Sequence, residues 1–216
     1  MNENSITENM KAHHDRVFSE HGATPRGVDW GANQDDLTLR YDKLLDLVLR
    51  GRTLGRRASV LDVGCGYGGL LSRIQERGLE IDYTGIDFVE AMIVEAKKRY
   101  PKGDFLCGDI FEAKDIGTFD YLLCNGIMTQ KLDASIPQMD KFVRSLIRRM
   151  FDLCSEGIAF NMMSSRVNFM VDNLFYRSPA EMLSWCMAEI TPNVALDHAY
   201  PLYEFMMYLY KNDRIR

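Results

Sequence analysis

The sequence predicts an α/β fold built on a mostly parallel sheet, and two patterns in the chain carry that expectation. Short apolar runs at 58–63, 81–86, 104–107, 119–124 and 158–163 alternate with helical patterns at about 67–77, 89–99 and 138–155. Strands and helices alternating at this spacing need crossover connections, which make neighbouring strands parallel and cover both faces of the sheet. Further on, Val194 to His198 and Glu204 to Tyr210 read as two strands joined by a loop around Pro201. Too few residues separate them for a crossover, so they should pair antiparallel.

Taken in order, residues 1–21 are polar and predict a partly disordered segment or one short helix. The stretch GATPRGVDWGANQDD, Gly22 to Asp36, holds three glycines and a proline, so it reads as an ordered loop or lid. A helix follows from about Asp35 to Arg50, with Leu37, Tyr41, Leu44, Leu45 and Val48 on one face and two aspartates at its positive end. In the long third helical pattern, Met139, Phe142, Val143, Leu146, Ile147, Met150 and Cys154 form the buried stripe, and Gly157 is expected to end it. Ser178-Pro179-Ala180-Glu181 has the form of a capping box, with proline at the first helical position, and starts a helix to about Glu189. The organisation is a segment and helical lid over 1–34 and one domain over 35–216.

A chain of 216 residues buries roughly 70% of its unfolded surface, so neither disulfides nor a structural metal is required. Apolar residues make up 46% and charged residues 26%, which excludes disordered, collagen-like and coiled-coil classes. The longest apolar stretch, Phe205 to Tyr210, is far short of the roughly 20 residues that span a bilayer. The formal charge of −5 argues against a nucleic-acid partner, whose phosphates call for a basic face. The local cluster Arg50, Arg52, Arg56 and Arg57 reads as a solvated helix end. The five cysteines lack a C-x-x-C pair and are odd in number, so they form no disulfide framework or zinc site. With an N-terminus that lacks a signal-peptide core, they point to the cytoplasm.

The strongest functional signal is Val60-Leu61-Asp62-Val63-Gly64-Cys65-Gly66-Tyr67-Gly68-Gly69-Leu70, a strand running through a glycine turn into a helix. Glycine lets the backbone approach a ligand, and the helix N-terminus presents unpaired N–H groups to an anion. Gly64, Gly66 and Gly69 also satisfy G-x-G-x-x-G, so the glycines alone leave a dinucleotide open. Asp87 ends the second strand, where a carboxylate can take both hydroxyls of a ribose. Gly108-Asp109-Ile110 follows the third strand and Asn125-Gly126 the fourth, lining the same crevice.

Together, VLDVGCGYGG, YTGIDFVEAMIVEAKKR, FLCGDIFE and FDYLLCNG resemble the ordered motifs of a class I S-adenosylmethionine-dependent methyltransferase, over about residues 35–163. GVDWG and LRYDKLL resemble segments of a bacterial small-molecule subgroup. The resemblance implies a Rossmann-like seven-stranded sheet and S-adenosylmethionine as cofactor, with S-adenosylhomocysteine as product. It further implies that Gly64 and Gly66 bracket the methionine portion beside Asp62, and that Asp87 holds the ribose. Phe88 would lie on the adenine, Asp109 would accept from its amino group, and the Ile110 N–H would meet a ring nitrogen. Asn125 and Gly126 would border the sulfonium. Arg40 is a candidate for the cofactor carboxylate and Trp30 for a cover over it.

Methyl transfer from a sulfonium is an in-line displacement, and positioning alone supplies about 7–11 kcal/mol, so a base is optional. The acceptor is expected in the C-terminal third, held by Asn161, Tyr176 and Arg177, with His198 and Tyr203 as candidate catalytic groups and Tyr200 as a further candidate. Arg177 would suit a carboxylate or phosphate. Asp172-Asn173 lacks a supporting carboxylate after the fourth strand, so no metal is expected. Asn125 is followed by Gly126-Ile127-Met128 and not by the proline pair of nucleic-acid amino methyltransferases, which favours a small-molecule substrate. A monomer or homodimer is expected, with no membrane partner. A nicotinamide-dependent oxidoreductase, a methyltransferase acting on RNA or protein, and a non-catalytic S-adenosylmethionine-binding module remain as alternatives.

Overall fold

The computed structural model describes residues 3–51 and 56–211, with the backbone alone for residues 3–5. Eight strands and six α-helices are formed: α1 (Glu3–His21), α2 (Gln34–Leu49), β1 (Ala58–Val63), α3 (Gly69–Glu76), β2 (Ile81–Asp87), α4 (Glu90–Arg99), β3 (Asp104–Cys107), β4 (Phe119–Cys124), α5 (Ile136–Leu153), β5 (Cys154–Ser164), β6 (Tyr176–Arg177), α6 (Pro179–Glu189), β7 (Val194–Asp197) and β8 (Glu204–Tyr210). The sheet order is β3-β2-β1-β4-β5-β8-β7. β1 to β5 pair in parallel, while β8 lies antiparallel between β5 and β7. The expected seven strands are therefore present, and an eighth, the two-residue β6, pairs with the end of β5.

Two cores flank the sheet. On one face α5 and α6 bury Met139, Phe142, Val143, Leu146, Ile147 and Met182. On the other α2, α3 and α4 bury Leu44, Leu45, Leu47, Leu70, Leu71, Ile74 and Ile93. Strands covered on both faces read as near-continuous apolar runs, which is why β4 (FDYLLC) and β8 (EFMMYLY) were visible as strands.

Two expectations are corrected. Residues 3–21 form one long helix, not a short or partly disordered segment. Its buried residues Ile6, Met10, Val17 and Phe18 recur at helical spacing, but the histidine pair between them dilutes the stripe. Gly157 does not end α5, which stops at Leu153 and passes directly into β5. Gly157 sits inside β5 because a Cβ there would lie 2.5 Å from the Leu209 carbonyl oxygen of β8.

At the amino-terminal edge of the sheet Asp120 joins three strands. It accepts from both Nη atoms of Arg56 (2.6 and 2.7 Å), from the Ser59 N–H and hydroxyl (2.8 and 2.9 Å) and from the Ser155 hydroxyl (3.1 Å). The Arg56 guanidinium holds its carboxyl far below the usual range. Arg50 and Arg57 also pair with carboxylates, Asp46 and Glu80, as a solvated face would; Arg52 lies outside the described residues. Asp120→Ala should cost about 2–3 kcal/mol at pH 7, chiefly by orphaning the Ser59 donors, because Arg56 is largely exposed. A depressed carboxyl stabilises the fold above the unfolded pKa, so the deficit should shrink as urea melts are repeated below about pH 4.

Candidate active site

β1 lies at the centre of the sheet with β2 on one side and β4 on the other, so the chain leaves it in opposite directions and opens a crevice at the carboxyl ends. The loop after β1 turns through Gly64 and Gly66, at φ +76° and +54°. Those angles, and a Cβ at Gly64 that would meet Ile127 Cδ1 at 2.7 Å, account for glycine there. The Gly64 and Cys65 N–H groups donate to the Ile86 carbonyl, which ties the loop to the end of β2.

The cavity that opens there is lined by Asp62, Gly64 and Gly66 from the first loop, and by Asp87 and Phe88 from the second. Asp109 and Ile110 come from the third, Asn125 and Gly126 from the fourth. Asp87 Oδ2 accepts from Gly66 N–H and Oδ1 from Val89 N–H, both at 2.9 Å, leaving the second lone pair of each oxygen for a ligand. Asp109 Oδ1 accepts from Phe111 N–H (2.9 Å). Asn125 Oδ1 is buried without a partner among the described residues. Burial pushes the Asp62 carboxyl up to about 7, against the hydrogen bond it accepts from the Tyr83 hydroxyl (2.8 Å). Burial likewise raises Asp87 to about 6.

The roof comes from the amino-terminal 30 residues. Thr7, Met10 and His14 of α1, with Val28, Asp29 and Trp30 of the loop, line the cavity. Trp30 packs on Gly126 so closely that a Cβ there would meet its ring at 2.8 Å. The Arg40 guanidinium also stacks on Trp30, 3.9 Å from the ring centroid. Arg40 Nε donates to Glu204 (3.1 Å), Asn161 Nδ2 donates to the same carboxylate (3.1 Å), and Asn161 Oδ1 accepts from Gly126 N–H (2.9 Å). A closed circuit of contacts thus joins roof, α2, β8, β5 and the loop after β4.

Comparison with known proteins places this architecture. A family model described as a methyltransferase domain matches residues 54–205. The Mycobacterium tuberculosis protein Rv1506c, which carries a methyltransferase name, is 30% identical over 158 residues, covering 71% of this chain and 93% of that protein. The chain belongs to the methyltransferase domain family. It has the class I S-adenosylmethionine-dependent methyltransferase fold. Among solved structures, DhpI in complex with S-adenosylhomocysteine aligns at TM-score 0.61 and 17% identity, over 94% of this chain and 95% of that one. The Haemonchus contortus phosphoethanolamine N-methyltransferase 1 aligns at 0.62 and 15%, over 97% of this chain and 50% of that one. The plantazolicin methyltransferase BpumL aligns at 0.57 and 16%, over 98% and 99%.

The residues expected to serve the acceptor in this methyltransferase do not meet at the cavity. His198 is exposed and its ring packs 6.2 Å from Phe205. Tyr203 is 56% exposed, against Phe169. The Tyr176 hydroxyl accepts from Val171 N–H, and Arg177 is held by Asp140 at 3.1 Å with Glu181 nearby. None of the four lines the cavity; they sit on β6 and in the connection between β7 and β8. Asn161 is fully buried behind Gly126 and acts on the site through that backbone. Arg40 likewise does not line the cavity: it stacks on Trp30 and its Nε donates to Glu204, while its buried Nη1 has no partner among the described residues. Glu204 itself, with Asp29, Gln130 and the three residues of α1, escaped the sequence reading; the only local signals were the His13-His14 doublet and the GVDWG segment.

The raised Asp62 carboxyl has a measurable consequence. An acid whose folded pKa lies above its unfolded value adds stability below about pH 4 and loses that contribution as pH rises through about 7. Asp62→Asn should therefore leave the ligand-free protein roughly 1–3 kcal/mol more stable than the parent at pH 8 and little changed at pH 4, read from urea melts.

Proposed function

We propose that the protein moves the methyl group of S-adenosylmethionine onto a small-molecule acceptor by in-line displacement. The observation that carries this is one cavity whose wall takes a carboxylate from each of β1, β2 and the β3 loop, plus the orphaned Asn125 Oδ1, with no lysine or arginine among its described lining residues. Such a wall suits a ligand bearing a sulfonium, an ammonium, ribose hydroxyls and an adenine amino group, and is poor for the pyrophosphate of a nicotinamide dinucleotide. When bound, the donor supplies an electrophilic methyl carbon on a cationic sulfur.

The chain's own residues then bind, orient and exclude water. Asp87 takes the ribose hydroxyls with its two remaining lone pairs. Asp109 accepts from the adenine amino group, the Ile110 N–H meets a ring nitrogen, and Phe88 lies against the base. Gly64 and Gly66 let the methionine portion approach the backbone, with Asp62 beside its ammonium. Asn125 and Gly126 border the sulfur, and Trp30 closes the cavity above Gly126. Asn161, Glu204 and Arg40 hold Gly126 and Trp30 in place. In domain terms, residues 1–34 form the roof and lid and 35–216 the catalytic unit.

A small acceptor is supported by a site roofed by the chain itself, and by methyltransferases of the same fold named for phosphoethanolamine, plantazolicin and an amino pentose. Five unpaired cysteines suit the cytoplasm, and no described helix is long and apolar enough to cross a membrane.

Calorimetry tests the reading: S-adenosylmethionine and S-adenosylhomocysteine should bind while NAD does not, and tighter NAD binding would remove the assignment. Asp87→Ala should lose about 2–4 kcal/mol of cofactor affinity through the charged hydrogen bonds it deletes. Backbone amide exchange over Gly22–Asp36 should slow when S-adenosylhomocysteine is added, as expected of a cover that tightens on its ligand. Unchanged exchange would make this segment a fixed wall.

A further inference from the structure

The roof carries a polar cluster that the donor's own requirements leave unused. Asp29 sits at φ +61°, at the end of the turn Arg26–Val28, and lines the cavity. Its Oδ2 accepts from Gln130 Nε2 and lies against His13 Nε2, both at 2.7 Å, while Oδ1 has no partner among the described residues. Gln130 is 91% buried, lines the same cavity, and its Oε1 is an orphan. His14 adds a ring to that wall, edge-on to His13. Burial, then the neighbouring His13, lowers His14 to about 4, so it stands neutral near pH 7. The bonds from His13 and Gln130 outweigh burial and hold Asp29 below the usual carboxylate range.

We propose that Asp29, Gln130 and His14 form the acceptor subsite of this methyltransferase, and that its acceptor is a primary or secondary amine. The inference rests on the methyltransferase reading above. Asp29 Oδ1 and Gln130 Oε1 are acceptor-only atoms, and neutral imidazole offers a third acceptor nitrogen. An unpaired buried carbonyl oxygen is costly, and a ligand N–H removes that cost. The matching ligand is rich in N–H donors and carries positive charge when free. A carboxylate or phosphate acceptor would instead face Asp29, Asp62, Asp87 and Asp109 with no lysine or arginine among the described lining residues, because Arg177 is committed to Asp140.

The location fits the chemistry. Gln130 belongs to the loop that begins at Asn125 and Gly126; Thr129, one residue before it, donates its hydroxyl to the Gly126 carbonyl (2.7 Å). The subsite and the sulfonium border thus share one short, internally bonded segment. The ammonium form of the acceptor gives one proton to solvent through the partly exposed Asp29 side. The neutral nitrogen then attacks the methyl carbon with its lone pair. The nitrogen–carbon bond forms as the carbon–sulfur bond breaks, its electron pair stays on sulfur, and the product leaves as the methylated ammonium. Asp29 and Gln130 orient the remaining N–H bonds so that the lone pair faces the methyl.

The test uses the full chain and a cell metabolite extract divided by ion exchange into cationic, neutral and anionic fractions, each incubated with methyl-labelled S-adenosylmethionine. Label should enter the cationic fraction. Asp29→Asn, which keeps the shape and tolerates the positive φ, and Gln130→Leu should each cut that labelling at least about tenfold. Both should bind S-adenosylhomocysteine with parental affinity by calorimetry. The labelled acceptor, once purified, should bind the parental S-adenosylhomocysteine complex at least about tenfold more tightly than the Asp29→Asn complex. Label confined to the neutral or anionic fraction, no label in any, or parental labelling by both variants would overturn the proposal. Failure of the parent to bind S-adenosylhomocysteine would instead overturn the methyltransferase reading beneath it.

Discussion

Glu204 is the carboxylate on which the arrangement of the site turns. It is fully buried at the start of β8, and burial raises its pKa against the pull of Arg40. A buried carboxylate persists only when it is hydrogen-bonded, and Arg40 of α2 and Asn161 of β5 both donate to it. Arg40 brings the helix that follows the roof, and Asn161 brings β5 together with the Gly126 N–H. The C-terminal strand pair therefore does more than close a sheet: it fixes where the roof meets the loop after β4. Replacing such a pair with apolar residues often leaves stability unchanged.

The second theme is the cost of an acidic cavity. Asp62, Asp87 and Asp109 all have carboxyl pKa values raised by burial. Each is a stability liability in the ligand-free protein. Asp62 is eased by the Tyr83 hydroxyl and Asp87 by two backbone N–H groups, so the fold supplies part of the compensation. At the other edge of the sheet, Asp120 is compensated by Arg56 and the serines, and it contributes to stability. Equivalent residues at the two ends of the strands thus do opposite work, because only one end faces an opening.

The sequence motifs specified the floor of the cavity. Glycines at positive φ, an aspartate at the tip of β2 and polar residues after β3 and β4 are local features, decided within a few residues of chain. That is why Gly64, Gly66, Asp87, Asp109 and Asn125 all appear on one wall. The roof was harder to read. Ile6, Met10, Val17 and Phe18 spread a thin apolar stripe over a polar helix, and nothing local shows that Thr7 and His14 face a cavity instead of water.

By itself, then, the sequence determined the parallel sheet, its antiparallel closure and the floor of the cavity, because periodicity and turn chemistry are properties of contiguous residues. Tertiary structure alone decided where the long-range partners fell. Arg177 reads as a free cation until Asp140 of α5 is brought beside it, and Arg40 reads as a ligand contact until Glu204, 164 positions away, claims it. Asp29 and Gln130 meet across 101 positions, where no spacing rule reaches. Charge pairing acts through space, and the identity of a charged residue's partner is set only once the chain has folded.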